Sequence, residues 1–146
     1  MELLKSVIDY GIIGLLVAMS VGAVGIALER KIFYNRVLLQ NFSSRRELEL
    51  ALTRKLHLIA TIASNAPYIG LLGTVFGIML TFGTMGSEGL MDSGKIMSGL
   101  ALALKATAVG LMVAIPAVTL YNLLLRSAKE LLMKWDIRNA NGRKGI

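Results

Sequence analysis

Long uncharged stretches alternate with short, strongly charged ones along this chain. From Tyr10 to Leu28 no residue is charged, enough for one crossing of a hydrocarbon core roughly 30 Å thick, which takes about 20 helical residues. A second apolar run extends from Leu58 to about Met85, and a third, broken only by Lys105, from Ile96 to Leu125. Apolar residues surround these segments instead of forming one stripe, as in helices with lipid for solvent. The expected spans are 7–28, 58–85 and 96–125. At about 1.5 Å per residue the third helix would be roughly 45 Å long, so its end should project beyond the bilayer. A cleaved signal peptide is the rival reading of the first run, but the apolar part of such peptides has only about 7 to 15 residues. A retained anchor is expected.

The charged stretches organise the rest. Within 29–57, Leu48, Ala51, Leu52 and Leu56 recur at helical spacing against Arg45, Glu49, Arg54 and Lys55, which predicts a helical segment with a break near Asn41 to Ser44. The stretch 86–95, with Gly86, Gly89 and Gly94 beside Glu88 and Asp92, reads as a short turn. The tail 126–146 continues the apolar pattern through Leu131, Leu132 and Trp135, so a helix should emerge from the bilayer there. Its apolar edge can rest on headgroups or pack on the 29–57 segment. Pro67 and Pro116 fall inside the second and third spans and should kink a helix unless neighbours take up the freed carbonyls.

Lys and Arg near span ends stay on the cytoplasmic side. Arg30, Lys31, Arg36, Arg45, Arg46, Arg54 and Lys55 lie between the first two spans, and Arg126, Lys129, Lys134, Arg138, Arg143 and Lys144 follow the third. The expected topology therefore has a periplasmic N-terminus, three crossings and a cytoplasmic C-terminus. The fold class is an all-α membrane protein whose long helices extend into the cytoplasm. The net charge of +7 is accounted for by topology and by attraction to anionic lipid, and no nucleic-acid-binding motif accompanies it. Cysteine is absent and His57 is the single histidine, so neither disulfides nor a metal site are expected, and no cofactor is implied. The glycines from Gly70 to Gly77 lack the Lys-Ser/Thr ending of a phosphate loop. Enzymatic chemistry is not expected.

The candidate chemistry lies on two narrow faces. At about 100° per residue, Ala63, Pro67, Gly70, Thr74, Gly77 and Thr81 share one face of the second span, and Ala103, Thr107, Gly110, Ala114 and Tyr121 share one face of the third. Thr74 lies about 15 residues before Gly89 and Thr107 about 18 after it, so a hairpin brings them to roughly similar depth. Small residues let helices approach closely in lipid, where apolarity alone gives no reason to associate. Two readings follow: a wall facing a polar lumen, or packing stripes with each threonine bonded to the carbonyl one turn behind it. No carboxylate lies on either stripe, so any proton-carrying acid must come from a partner. Lys105, the one charge well inside a span, sits about 160° from Thr107. It is expected to snorkel outward or to pair with Asp9.

The stretch from Ala66-Pro67-Tyr68-Ile69-Gly70-Leu71-Leu72-Gly73-Thr74-Val75-Phe76-Gly77, with Ala106-Thr107-Ala108-Val109-Gly110-Leu111 and Ala114-Ile115-Pro116-Ala117-Val118 before Tyr121-Asn122, resembles the MotA/TolQ/ExbB proton-channel family. The resemblance implies an inner-membrane subunit that assembles with copies of itself into a ring, expected to be a pentamer. It implies a single-span ExbD-like partner whose membrane aspartate carries protons. It also implies a TonB-like protein that receives the motion and energises outer-membrane import of siderophores and vitamin B12. Thr74 and Thr107 match the family's pore threonines; Gly70, Gly77, Thr81, Ala103, Gly110 and Ala114 would line the same pathway. Many members have a glutamate five residues before the third-span threonine, where this chain has Leu102. The segment 29–57 is also shorter than in the better-known members. The Tol-Pal envelope system is the alternative within the family, and a non-conducting helical scaffold the alternative outside it.

Overall fold

The computed structural model describes residues 2–88 and 93–144. Four helices follow in order: α1 (Glu2–Arg36), α2 (Arg45–Thr53), α3 (Leu56–Glu88) and α4 (Ser93–Lys144), with a 3-10 turn at Leu39–Asn41 between the first two. The described part is all-helical. Helices α1, α3 and α4 are each long and apolar enough to cross a membrane. With 35, 33 and 52 residues they measure about 50, 50 and 78 Å, so all three outrun a hydrocarbon core of roughly 30 Å. Neither Pro67 nor Pro116 ends its helix. Within the turn expected over 86–95, residues 86–88 belong to α3 and 93–95 to α4, and positions 89–92 lie outside the described residues.

The link between α1 and α3 folds for local reasons. Leu38 is extended, which stops α1. Helix α2 then begins at a side-chain cap: the Ser44 hydroxyl accepts from the Glu47 backbone N–H at 3.2 Å, and the Glu47 carboxylate accepts from the backbone N–H of Ser43, just before the cap, at 3.3 Å. The first contact satisfies a donor that a helix start otherwise leaves open, and the second ties the entering chain to the first turn. At the other end Arg54 leaves the helical region with ψ of 133° and Lys55 takes a left-handed backbone conformation with φ of 65°, and the two together redirect the chain into α3. The break expected near Asn41 to Ser44 is present, and the chain around it is non-helical from Val37 to Ser44 apart from the 3-10 turn.

Two clusters of buried side chains result. The larger sits at the basic end, where Leu48 and Leu52 of α2, fully buried, pack with Ile59 of α3 and with Leu124, Ala128 and Leu132 of α4. The apolar edge expected on the C-terminal tail thus packs on the segment between α1 and α3. Polar contacts tie the same region. The Tyr34 hydroxyl donates to the Leu52 carbonyl at 2.5 Å, Arg30 donates to the Ala51 carbonyl at 3.2 Å, and Arg45 pairs with Asp136 at 3.1 Å. Glu29, just past the apolar run of α1, accepts from Lys55 at 2.7 Å and from Arg30 at 3.0 Å. Those bonds, Lys55 first, hold its carboxyl below the ordinary carboxylate range. The smaller cluster, Leu16, Ala66, Val113 and Ala114, lies midway along the helices.

Candidate site in the α3–α4 hairpin

Helices α3 and α4 make the most extensive contact in the molecule, and they make it through the two small-residue faces. Gly70 and Gly110 meet backbone to backbone: a methyl group built on Gly70 would lie 2.7 Å from the Ala106 carbonyl oxygen, and one on Gly110 would lie 2.7 Å from that of Ala66. Glycine is required at both, because the atom in the way is main chain and cannot move aside alone. About two turns along, a methyl on Gly77 would lie 2.7 Å from the Ala103 Cβ. Ala103, which meets Gly77, and Ala114 of the smaller cluster are buried, and Ala63 is buried within the larger cluster. Pro67 and Tyr121 are only half-buried.

The close approach brings the two threonines together. Their hydroxyls are hydrogen-bonded to each other, so the similar depth expected for them is what the hairpin provides. Thr74 is 7% exposed. Its hydroxyl also donates to the Ala103 carbonyl across the interface at 3.1 Å, with its own Gly70 carbonyl at 3.4 Å. Thr107 is half-buried, and its hydroxyl lies 3.4 Å from the same Gly70 carbonyl. The asymmetry matters chemically. Thr74 is enclosed by backbone acceptors, whereas Thr107 reaches the surface and carries its contact inward to Thr74. Thr81, 6% exposed, donates to the Gly77 carbonyl at 2.8 Å, the back-bonding typical of threonine in a helix.

Two contacts were not singled out from the sequence. Gly99 lies against Thr81, whose hydroxyl oxygen is 2.7 Å from where a Gly99 methyl would stand. Gly73 lies against Ala106 and Ile12, which joins α1 to the hairpin. Gly99 continues the spacing of three and four that runs through Ala103, Ala106, Thr107 and Gly110 on α4, and Gly73 continues that of Ala66, Gly70 and Gly77 on α3, so the contact face is wider than one stripe.

Lys105 is on the opposite side, exposed, in a groove of about 240 Å³ between α1 and α4 that Ser6, Asp9 and Tyr10 also line. Asp9 and Lys105 share that groove, but no ion pair joins them among the described residues. Leu102 is 41% exposed. No group of residues able to hold a metal ion occurs among the described residues.

Three long apolar helices, two of them pressed together on small residues with a shared hydroxyl pair inside the contact, define a multi-span helical membrane protein. The model of the MotA/TolQ/ExbB proton channel family matches residues 28–137. The ExbB-like 2 chain of Helicobacter pylori is 56% identical over 134 residues, covering 92% of this chain and 89% of that one. The biopolymer transport protein ExbB of Aquifex aeolicus is 52% identical over 136 residues, covering 93% and 92%. The Tol-Pal system protein TolQ of Haemophilus influenzae is 45% identical over 82 residues, 56% of this chain and 36% of TolQ. The chain belongs to the MotA/TolQ/ExbB proton channel family.

Proposed function

We propose that the chain is the ring-forming inner-membrane subunit of an ExbB-type complex that uses the proton-motive force to energise outer-membrane import. In this reading copies of the α3–α4 hairpin surround a lumen, and a single-span partner inside it supplies a carboxyl group that binds protons. The N-terminus is periplasmic, the ends of α1 and α4 with α2 lie in the cytoplasm, and a TonB-like protein receives the motion. Near-full-length similarity to chains named ExbB, at 56% and 52% identity, favours this role over the Tol-Pal one.

The hydroxyl pair carries the proposal. A threonine hydroxyl both donates and accepts, so Thr107, the half-exposed member, can accept from a protonated carboxyl and donate to an ionised one. Thr74 supports either state: when Thr107 accepts from a protonated carboxyl, its own proton goes to the Thr74 oxygen or the Gly70 carbonyl while Thr74 donates to the Ala103 carbonyl at 3.1 Å, and when Thr107 donates to an ionised carboxylate, Thr74 can donate to the Thr107 oxygen instead. In a water-poor lumen, a donor of this kind lowers the cost of the charged carboxylate. Gly70, Gly77, Thr81, Ala103, Gly110 and Ala114 form the wall that holds the pair, and their small size sets its thickness. The chain brings no carboxylate to this face, which assigns the titrating group to the partner.

Thr107→Val with Thr74→Val removes both hydroxyls with little change in volume. Host cells lacking the native gene should then fail to grow on siderophore iron while the variant ring still purifies intact with its partner. Normal growth would overturn the proposal and favour the non-conducting scaffold.

A further inference from the structure

A groove of about 720 Å³ lies between α1 and α4 at the basic end. Its composition changes along its length. Toward the middle of the helices it is lined by Val24, Leu28, Leu120 and Leu123, and toward the ends by Lys31, Asn35, Ser127 and Lys134. The change falls where the apolar runs stop. Lys31 follows Leu28 by about one turn of α1, and on α4 the charges begin with Arg126 directly after Leu125. The groove therefore straddles the level where acyl chains give way to headgroups.

Its charges are of one sign once the internal pair is set aside. Arg126 is held by Glu130, its neighbour one turn on, at 3.0 Å, and both line the groove. Lys31 and Lys134 have no ion-pair partner among the described residues. The apolar part is open too: Leu28 is 57% and Leu123 58% exposed. An apolar floor continuing into two uncompensated ammonium groups complements a molecule with hydrocarbon at one end and a negative charge at the other. We infer that this groove binds one anionic phospholipid, its acyl chain along Val24, Leu28, Leu120 and Leu123 and its phosphodiester between Lys31 and Lys134. Asn35 and Ser127 supply neutral donors at the same level. The inference rests on membrane placement alone and stands or falls apart from the proposed lumen.

The test is lipid binding to the purified full-length chain, followed by native mass spectrometry during titration with dioleoylphosphatidylglycerol or dioleoylphosphatidylcholine. The wild type should bind the anionic lipid in preference. Lys31→Gln with Lys134→Gln should weaken that binding about thirtyfold, near what two lysines contribute beside an anionic headgroup, and leave phosphatidylcholine unaffected. Lys31→Arg with Lys134→Arg should bind like the wild type, which separates lost charge from lost fold. Glycerol phosphate should not compete. Equal affinity of the wild type and the glutamine variant for phosphatidylglycerol would overturn the inference, as would competition by glycerol phosphate. Loss of the homo-oligomer in the glutamine variant with unchanged lipid preference would also overturn it, because the groove would then hold a second copy of the chain.

Discussion

At the α3–α4 crossing the helices touch through glycine and alanine, main chain against main chain, with hydroxyls and carbonyls as the polar contacts and no charged side chain on either face. At the basic end, α1, α2 and α4 are held by bulky side chains, Leu48, Leu52, Leu124 and Leu132, and by charged or phenolic groups reaching to the next element. In the proposed membrane placement the difference follows from the solvent each is built for. In lipid, burial of apolar surface does not distinguish helix from lipid, so association depends on close packing and a few interhelical hydrogen bonds. A larger side chain there removes the contact itself. In water the hydrophobic effect drives assembly, and ion pairs at its edge add little.

Substitutions should separate the two regions. The largest effect is expected from Gly70→Ala or Gly110→Ala, each of which puts a methyl group 2.7 Å from a carbonyl oxygen. Overpacking of this kind costs about 1 to 3 kcal/mol, and thermal unfolding in detergent should show a clear drop in midpoint. Gly11→Ala is the control, since a methyl there meets nothing within 4 Å. Tyr34→Phe comes next. It leaves the buried Leu52 carbonyl without the phenol that now reaches it at 2.5 Å, at a cost of about 1 to 2 kcal/mol. The loss should appear as faster proteolysis within α2 before the rest of the chain is cut.

A smaller effect is expected from Asp136→Asn, which breaks the exposed pair with Arg45; such pairs contribute roughly 0.2 to 1 kcal/mol, and the change should fade with added salt. Smallest is Glu29→Gln. The Glu29 carboxyl is depressed in the folded chain from a starting value of 4.5, so its contribution is present above that value and is lost as the pH falls through the folded one. Unfolding midpoints of wild type and Glu29→Gln should differ slightly at neutral pH and converge in acid. If Gly70→Ala proved milder than Asp136→Asn, the contrast between the two regions would be wrong.

Much of this architecture was legible in the residue pattern, and the limits are physical. The three long helices follow from runs too apolar for any other solvent, and the meeting of Thr74 with Thr107 from counting residues to a turn. The start of α2 was carried by Ser44 and Glu47, a capping pair within the charged stretch that helical periodicity alone passes over. Gly99 and Ala106 escaped because a stripe drawn at one spacing is narrower than the strip two helices cover when ridges of three and four both engage. Lys105 was expected to snorkel outward or to pair with Asp9; the two line one groove without an ion pair among the described residues, because side-chain reach decides an ion pair and periodicity does not encode it. The left-handed turn at Lys55 had no local sign, since lysine is not a residue that favours that conformation.

The central claim is that the Thr74–Thr107 hydroxyl pair serves the proton pathway. Its most direct test is proton flux into liposomes carrying the chain with the proposed single-span partner, driven by an imposed pH gradient and membrane potential. The variant Thr74→Val with Thr107→Val should lose flux while the complex keeps its size and subunit ratio. Flux at the wild-type rate in that variant would contradict the account.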